Sequence, residues 1–134
     1  MFLVFKCCDQ CYAIDYRNVD KLLLPQPYVK VPLERDFVIG QIIFDNQAVP
    51  VFEMCKILRP SEPMKEDGFI WMSVINENHR VIFKVDSVLG LYENFDINPT
   101  PIDASGFSPN IITVEENIMA LVIDVDKFLE KMYE

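Results

Sequence analysis

The chain is short of basic residues, of histidine and of long apolar runs, and each shortage excludes a class of function. Its 134 residues carry 12 Lys and Arg against 21 Asp and Glu, which gives a net charge of −9. Such a chain repels phosphate backbones and anionic lipids, so we expect it to bind no nucleic acid. No apolar stretch approaches the roughly 18 residues that a membrane helix needs, so no direct membrane insertion is expected.

Signatures of catalysis are equally scarce. His79 is the only histidine and lies beside a predicted turn, where a solvated side chain is far commoner than a general base. The four glycines stand apart from one another, at Gly40, Gly68, Gly90 and Gly106. A glycine-rich phosphate loop therefore cannot form. The sequence predicts no enzyme and no catalytic residue.

Two acidic positions have structural explanations. Asp86 interrupts the apolar stretch 85–88, and we expect its carboxylate to hold a turn at a strand junction by a hydrogen bond. Asp124 precedes the best helical pattern of the chain and is placed to cap the free amides of that helix. The apolar face of this C-terminal helix follows at the spacing i, i+3, i+4 and i+7: Val125, Phe128, Leu129 and Met132.

The chain has four cysteines: Cys7, Cys8, Cys11 and Cys55. Cys8 and Cys11 have the CxxC spacing of redox and zinc motifs. The redox motif opens a helix, whereas residues 12–14 favour a strand, and zinc would need distant ligands such as Cys55 and His79. We favour a two-residue hairpin turn at Asp9-Gln10 flanked by cysteines that pack as small apolar residues. No metal and no cofactor is expected.

The remaining pattern is one of short strands separated by turn residues. At 51% hydrophobic and 25% charged residues, the composition is that of one globular domain. A short helical turn is expected over 19–23, one or two helical turns over 53–58 and a loop over 94–110. Pro50 should make its strand an edge strand or a bulged strand. Strands are predicted over residues 2–7, 11–14, 37–44, 47–52, 69–75, 80–85, 88–92, 111–114 and 118–123, which indicates small barrels or a sandwich.

Several stretches, in order along the chain, resemble the CheW-like domain family. Residues 2–5 (FLVF) and 12–15 (YAID) resemble its opening hairpin. Residues 37–44 (FVIGQIIF), followed by VPV at 49–51, are similar to its central F-V-x-G-V-I-N-L-R-G-x-I-V-P-V. VDSV at 85–88 resembles its V-D-x-V, and IDVDKFL at 123–129 resembles its closing L-D-x-D-K-L-L. The resemblance spans nearly the whole chain.

The resemblance implies a mainly β fold and a non-catalytic adaptor. The fold would be two five-stranded SH3-like barrels packed together, with a short C-terminal helix, as intertwined halves of a single domain over residues 1–134. The adaptor would work in the cytoplasm. It would couple the cytoplasmic tips of chemoreceptors to the regulatory domain of a CheA-type histidine kinase, through apolar surfaces at the barrel ends and in the cleft between the halves.

The resemblance also assigns candidate partner-binding residues: Val19, Leu22, Gly40, Asp45, Ile70 and Leu91. Core packing is an equally good explanation of the apolar ones, and a bend in a strand explains Gly40. Asp45-Asn46 replaces the Arg-Gly of the family turn. The tight turn can still form after this change, because Asn tolerates the left-handed backbone. The local charge, however, changes by two units. Other family glycines are replaced by Cys8, Ala13 and Ile82, and the segment between residues 98 and 111 is shortened.

Three hypotheses remain open. The first is the chemotaxis adaptor. The second is a diverged scaffold or decoy that binds a receptor or kinase without supporting kinase activation, and the charge change at Asp45 motivates it. The third is a Cys-based metal or redox protein.

Overall fold

The computed structural model describes residues 1–30, 35–59, 69–103, 105–115 and 117–133. In this part of the chain a 3₁₀ turn covers Tyr16–Asn18, helix α1 covers Met54–Leu58 and helix α2 covers Val125–Met132. Strands β1 to β11 cover Phe2–Cys7, Gln10–Asp15, Val19–Leu23, Val38–Phe44, Gln47–Glu53, Ile70–Ile75, Arg80–Val85, Ser87–Tyr92, Asp96–Pro99, Asn110–Val114 and Ile118–Ile123. None of the helices in these ranges is long and apolar enough to cross a membrane.

The strands form two sheets, and the mainly β class is confirmed. One sheet has the order β8-β1-β2-β11-β10-β9 and the other the order β3-β6-β7-β5-β4. The pairs β2–β11 and β5–β7 are parallel, and the other neighbours are antiparallel. Among the described residues, the first sheet has six strands and not the expected five, because β9, which lies inside the predicted loop 94–110, pairs with β10.

In each sheet, the two strands at opposite ends of the strand order are consecutive along the chain. In the first sheet β8 leads through three residues directly into β9. In the second sheet Val29, which follows β3, forms two backbone hydrogen bonds of 2.9 Å with Gln41 of β4. Each sheet is thus drawn round on itself, so that its two end strands approach each other.

Three hydrophobic clusters follow from the alternation of side chains along the strands. On β1, Leu3 and Phe5 enter the largest cluster, which receives side chains from both sheets and from both helices. Val4, between them in sequence, points to the other face and enters a cluster made by the first sheet alone. The second sheet has its own cluster around Trp71. The fold is therefore two small cores, one to each sheet, with a larger core between them.

In the part of the chain that the structure describes, two tight turns have left-handed backbone at both central residues. Asp45 and Asn46 have φ of 49° and 63°, which confirms the predicted hairpin turn. The first hairpin turns at Cys8 and Asp9, one residue earlier than predicted, because Cys7 pairs with Gln10.

Asp86 has the structural role that the sequence predicts for it. It stands at the junction between β7 and β8, and its Oδ2 accepts a hydrogen bond of 3.0 Å from the backbone N–H of Cys8. The carboxylate thus holds the turn of the first hairpin. The predicted cap of α2 is also present, because Asp124 Oδ1 accepts a hydrogen bond of 3.1 Å from the Lys127 N–H.

One local prediction is wrong and another is wrong in part. Residues 19–23 form strand β3 and not a helical turn, because pairing with β6 overrides a short helical pattern. The strand that contains Pro50 lies between β7 and β4 and not at an edge, although its pairing with β4 has a register shift between Val38 and Gly40. Proline is tolerated there because the pairing of β5 with β7 begins only at Val51.

Candidate partner-binding surfaces

The structure distributes the six predicted partner-binding residues over both sheets. Four of them lie on strands of the second sheet and one in its β4–β5 turn, whereas Leu91 lies on β8 of the first sheet. The residues in strands of the second sheet are Val19 and Leu22 on β3, Gly40 on β4 and Ile70 on β6.

The β3 surface consists of Leu22 and the half-buried Val19 beside it. In the antiparallel register Leu22 lies opposite Met72, and opposite residues point to the same face of a sheet. Met72 is buried in the core between the sheets, whereas Leu22 is 46% exposed because β3 is an end strand. Val19 and Ile70 both pack against that same core. The β3 surface is therefore an apolar extension of the central core that reaches solvent.

The β8 surface, which consists of Leu91 and the exposed Leu89 at a neighbouring register shift, is the counterpart in the first sheet. Leu91 lies opposite Leu3, which is buried in the core between the sheets. Leu91 is 48% exposed, and β8 is again an end strand. Each sheet thus exposes a leucine at one end of its strand order, on the face that continues into the central core.

Asp45 has an ion-pair partner within the chain. The guanidinium of Arg80 places Nη1 at 3.0 Å from Asp45 Oδ2 and Nη2 at 3.6 Å from Asp20 Oδ2. These three residues come from β3, β7 and the β4–β5 turn, so the network connects distant strands of the second sheet. The carboxylate that replaces the family arginine therefore has a cation to balance it, although the Asp45 side chain remains 58% exposed.

The ring of Phe44 lies beside this network. The Lys21 Nζ is 5.1 Å from the centroid of that ring and the Arg80 Cζ is 5.3 Å from it. Both distances fall within the range of cation–π attraction. Local sequence patterns do not identify Arg80 and Asp20 as neighbours of Asp45, because only long-range strand pairing brings these residues together.

Gly40 is buried against its own chain. A Cβ atom added at this position would lie 2.5 Å from the carbonyl oxygen of Val29 and 2.7 Å from the Cδ2 atom of Tyr28. Both distances are far below van der Waals contact, so the absence of a side chain lets the 28–29 segment approach β4. The structure thus gives Gly40 an intramolecular reason to be glycine.

A cleft of about 450 Å³ lies where the first sheet meets the two helices. Tyr12 and Leu121 of the sheet form one side, and Ile57 of α1 and Met132 of α2 contribute to another. The remaining part of its lining includes Leu58, Lys131 and residues of the segment 100–108. Burial raises the pKa of Tyr12, and a hydrogen bond with Arg59 acts in the opposite direction.

The second sheet has a buried ion pair. Glu53 ends β5 with 3% exposure, and its Oε2 lies 3.0 Å from the Nζ of Lys84, its register partner on β7. Burial raises the pKa of the Glu53 carboxyl, and the Lys84 ammonium counteracts part of this rise. Lys84 Nζ also lies 3.6 Å from the centroid of the Phe69 ring. We interpret this pair as structural, because both groups are largely enclosed.

The expectation that the cysteines flanking the first turn pack as small apolar residues holds for Cys11 and is wrong for Cys8. Cys8 is bonded to Cys55, which is 47 residues away, and not to Cys11. The sulfur of Cys7 lies within 4.8 Å of both bonded sulfurs, so three cysteines meet at one place. Cys11 packs instead against the core of the first sheet. His79, the other distant candidate ligand, stacks on Tyr133 at 4.0 Å between ring centroids.

Comparison with known proteins identifies the family. The family model of the CheW-like domain matches residues 1–132. The chain belongs to the CheW-like domain family. The chemotaxis protein CheW of Thermotoga maritima is 26% identical over 137 residues, which cover 97% of this chain and 87% of that protein.

The fold of this CheW-like domain also matches a solved structure. The crystal structure of the scaffolding protein TtCheW from Thermoanaerobacter tengcongensis superposes with a TM-score of 0.77. The match covers 91% of this chain and 86% of that one, at 20% sequence identity. This similarity confirms the two-sheet architecture, which the sequence resemblance had implied.

Proposed function

We propose that this CheW-like domain is a non-catalytic scaffold of chemotaxis that couples chemoreceptors to a CheA-type histidine kinase. Membership of the family supports the proposal, and so do two similar proteins, one a chemotaxis protein and one a scaffolding protein. The coupling would take place in the cytoplasm, at the receptor tips and at the kinase regulatory domain. Val19, Leu22, Gly40, Asp45, Ile70 and Leu91 are the proposed partner-binding residues.

The observation that carries the proposal is the pair of exposed leucines on different sheets. Leu22 and Leu91 each continue the central core to the surface, at an end strand of its own sheet. Exposed apolar side chains of this kind suit protein contacts, because their burial against a partner releases water from apolar surface. A scaffold must hold two partners at once, and two surfaces on different sheets meet this requirement.

Charge substitutions at the two leucines test the proposal. Leu22→Glu and Leu91→Glu should each weaken binding to at least one of two probes by tenfold or more, because a charge must be desolvated at the interface. The probes are the regulatory domain of a CheA-type kinase and the cytoplasmic tip of a chemoreceptor, both from the source organism. Binding is measured by isothermal titration calorimetry with the purified full chain.

Each variant has a matched control on its own sheet. Ile43→Glu on β4 and Met119→Glu on β11 introduce the same charge at apolar side chains that are 74% and 67% exposed. The controls should keep the affinities of the unmodified chain. The proposal fails if the folded chain binds neither probe. The assignment of the surfaces fails if the leucine variants bind as tightly as their controls.

The second candidate function is a scaffold that binds one partner without supporting kinase activation. Asp45 favours it, because this turn presents a carboxylate where the family has an arginine. Asp45→Arg restores the family charge but also places two guanidinium groups near each other, so Asp45→Asn serves as the neutral comparison. Higher kinase activity with Asp45→Arg than with both other forms would support this candidate, and equal activities would contradict it.

A further inference from the structure

The three cysteines that meet between the sheets form a site that the proposed scaffold does not use. Cys7 and Cys8 come from the end of β1 and the following turn, in the first sheet. Cys55 is in α1, which begins directly after β5 of the second sheet. All three side chains contribute to the core between the sheets.

We propose that Cys8 and Cys55 are a reversible thiol–disulfide site that ties the two sheets together. Their Cα atoms are 6.1 Å apart, inside the range that a disulfide requires. The bond closes a long stretch of chain and connects elements of different sheets. It therefore restrains the interface between the halves, on whose margin both leucine surfaces lie.

Burial indicates how the site reacts. Cys7 and Cys55 are buried, whereas Cys8 is only partly buried, so a dissolved oxidant or reductant reaches the Cys8 sulfur first. The oxidant we propose is hydrogen peroxide. The Cys8 thiolate attacks one peroxide oxygen, the O–O bond breaks and a sulfenic acid forms at Cys8, while the hydroxide that leaves takes up a proton from solvent and becomes water. The Cys55 thiol then attacks the Cys8 sulfur, the S–O bond breaks and a second water leaves.

Reduction uses a dithiol of the thioredoxin class. One of its thiolates attacks the Cys8 sulfur and displaces the Cys55 thiolate, and its second thiol then releases Cys8, which leaves two protein thiols and an oxidised reductant. Reversibility rests on the proposed function, because a chemotaxis scaffold in the cytoplasm meets reducing conditions, where disulfides are usually transient. Formation of the bond does not depend on it, and the test below needs no partner.

The sulfurs of Cys7, Cys8 and Cys55 are also close enough together to supply three ligands to one metal ion. Structural zinc sites have four ligands, and no fourth Cys, His, Asp or Glu joins this group among the residues that the structure describes. We therefore favour the disulfide, and metal binding is an outcome that the test separates.

Thiol counting on the purified full chain tests the proposal. The chain is reduced, desalted, treated with hydrogen peroxide, and alkylated with N-ethylmaleimide after denaturation, and the intact mass gives the number of alkylated thiols. Of the four cysteines, all should be alkylated before peroxide and two after it, and dithiothreitol should restore all four. The oxidised monomer should also unfold at a higher urea concentration than the reduced one.

Single serine variants identify the bonded pair. Cys7→Ser and Cys11→Ser should still lose two alkylation sites on oxidation, whereas Cys8→Ser and Cys55→Ser should lose none. Circular dichroism verifies that each variant is folded, and alanine replaces serine where one is not. Four alkylated thiols after peroxide, equal behaviour of Cys7→Ser and Cys8→Ser, or loss of thiols only through dimers would overturn the proposal. So would reduced protein that binds one Zn²⁺ and then resists peroxide.

Discussion

Replacement of Gly40 by alanine should destabilise the fold strongly, although it adds a single methyl group. The new Cβ would lie 2.5 Å from the Val29 carbonyl oxygen and 2.7 Å from Tyr28 Cδ2. To reach ordinary contact, the exposed 28–29 segment must withdraw by roughly 0.9 Å from β4. That movement stretches both 2.9 Å hydrogen bonds between Val29 and Gln41.

The magnitude follows from three contributions. Overpacking at the buried Gly40 position costs about 1–3 kcal/mol. Each of the two weakened hydrogen bonds contributes about 0.5–1.5 kcal/mol. Alanine restricts the unfolded chain more than glycine does, and this effect offsets about 0.4–1 kcal/mol of the destabilisation. These contributions combine to a net loss in the free energy of unfolding of about 1–6 kcal/mol, centred near about 3 kcal/mol, and the central value lowers Tm by about 10 °C for a chain of this length.

Urea denaturation of the reduced, purified chain measures this loss. Gly106→Ala is the matched control, because Gly106 has φ of +80° but no atom within 4 Å of its added Cβ. This control should lose only about 1 kcal/mol in the free energy of unfolding, which is the cost of an alanine in left-handed backbone. In the Gly40→Ala/Tyr28→Ala double variant most of the penalty should persist, because the Val29 carbonyl is the nearer obstacle. A loss below about 0.5 kcal/mol for Gly40→Ala would refute the steric argument.

Two further changes probe the electrostatics of the fold. Glu53→Gln should remove a pH dependence of the free energy of unfolding. Burial raises the pKa of Glu53 in the folded chain, so the folded chain holds this proton more tightly than the unfolded chain does. The stability of the unmodified protein should therefore fall as pH rises from about 4.5 through the raised pKa. Urea midpoints of both proteins across this range measure it, and parallel curves would contradict it. Asp124→Ala should lower the free energy of unfolding by about 1 kcal/mol, because the Lys127 N–H loses its acceptor. The exposed Glu130→Ala is the control, and an equal loss in both variants would exclude a capping effect.

Local patterns predicted most of the fold. The bounds of Phe2–Cys7, Arg80–Val85 and Ile118–Ile123 follow directly from apolar runs between turn residues. The C-terminal helix follows from its apolar spacing and from Asp124. Local patterns failed where a short segment fits both the periodicity of a helix and that of a strand. Val19, Leu22 and Leu23 fit one helical face, yet they form an end strand.

The contacts that define the candidate sites lie beyond local patterns. Asp45 and Arg80 are 35 residues apart, and Cys8 and Cys55 are separated by 47. Only the pairing of strands brings such residues together, and one sequence contains no direct signal of it. Strand β9 was missed for a related reason, because Asp96–Pro99 is exposed throughout and has no apolar alternation. Sequence resemblance identified the family without these contacts.

The central core links the two proposed partner surfaces mechanically. Leu22 and Leu91 lie opposite Met72 and Leu3, two fully enclosed members of the same cluster. Close-packed cores deform little, so a partner bound at one surface is held at a fixed orientation to a partner at the other. Such a scaffold needs no change of its own conformation, because it acts by geometry. The disulfide between Cys8 and Cys55 crosses this same core, and oxidation should therefore change how firmly that geometry is held.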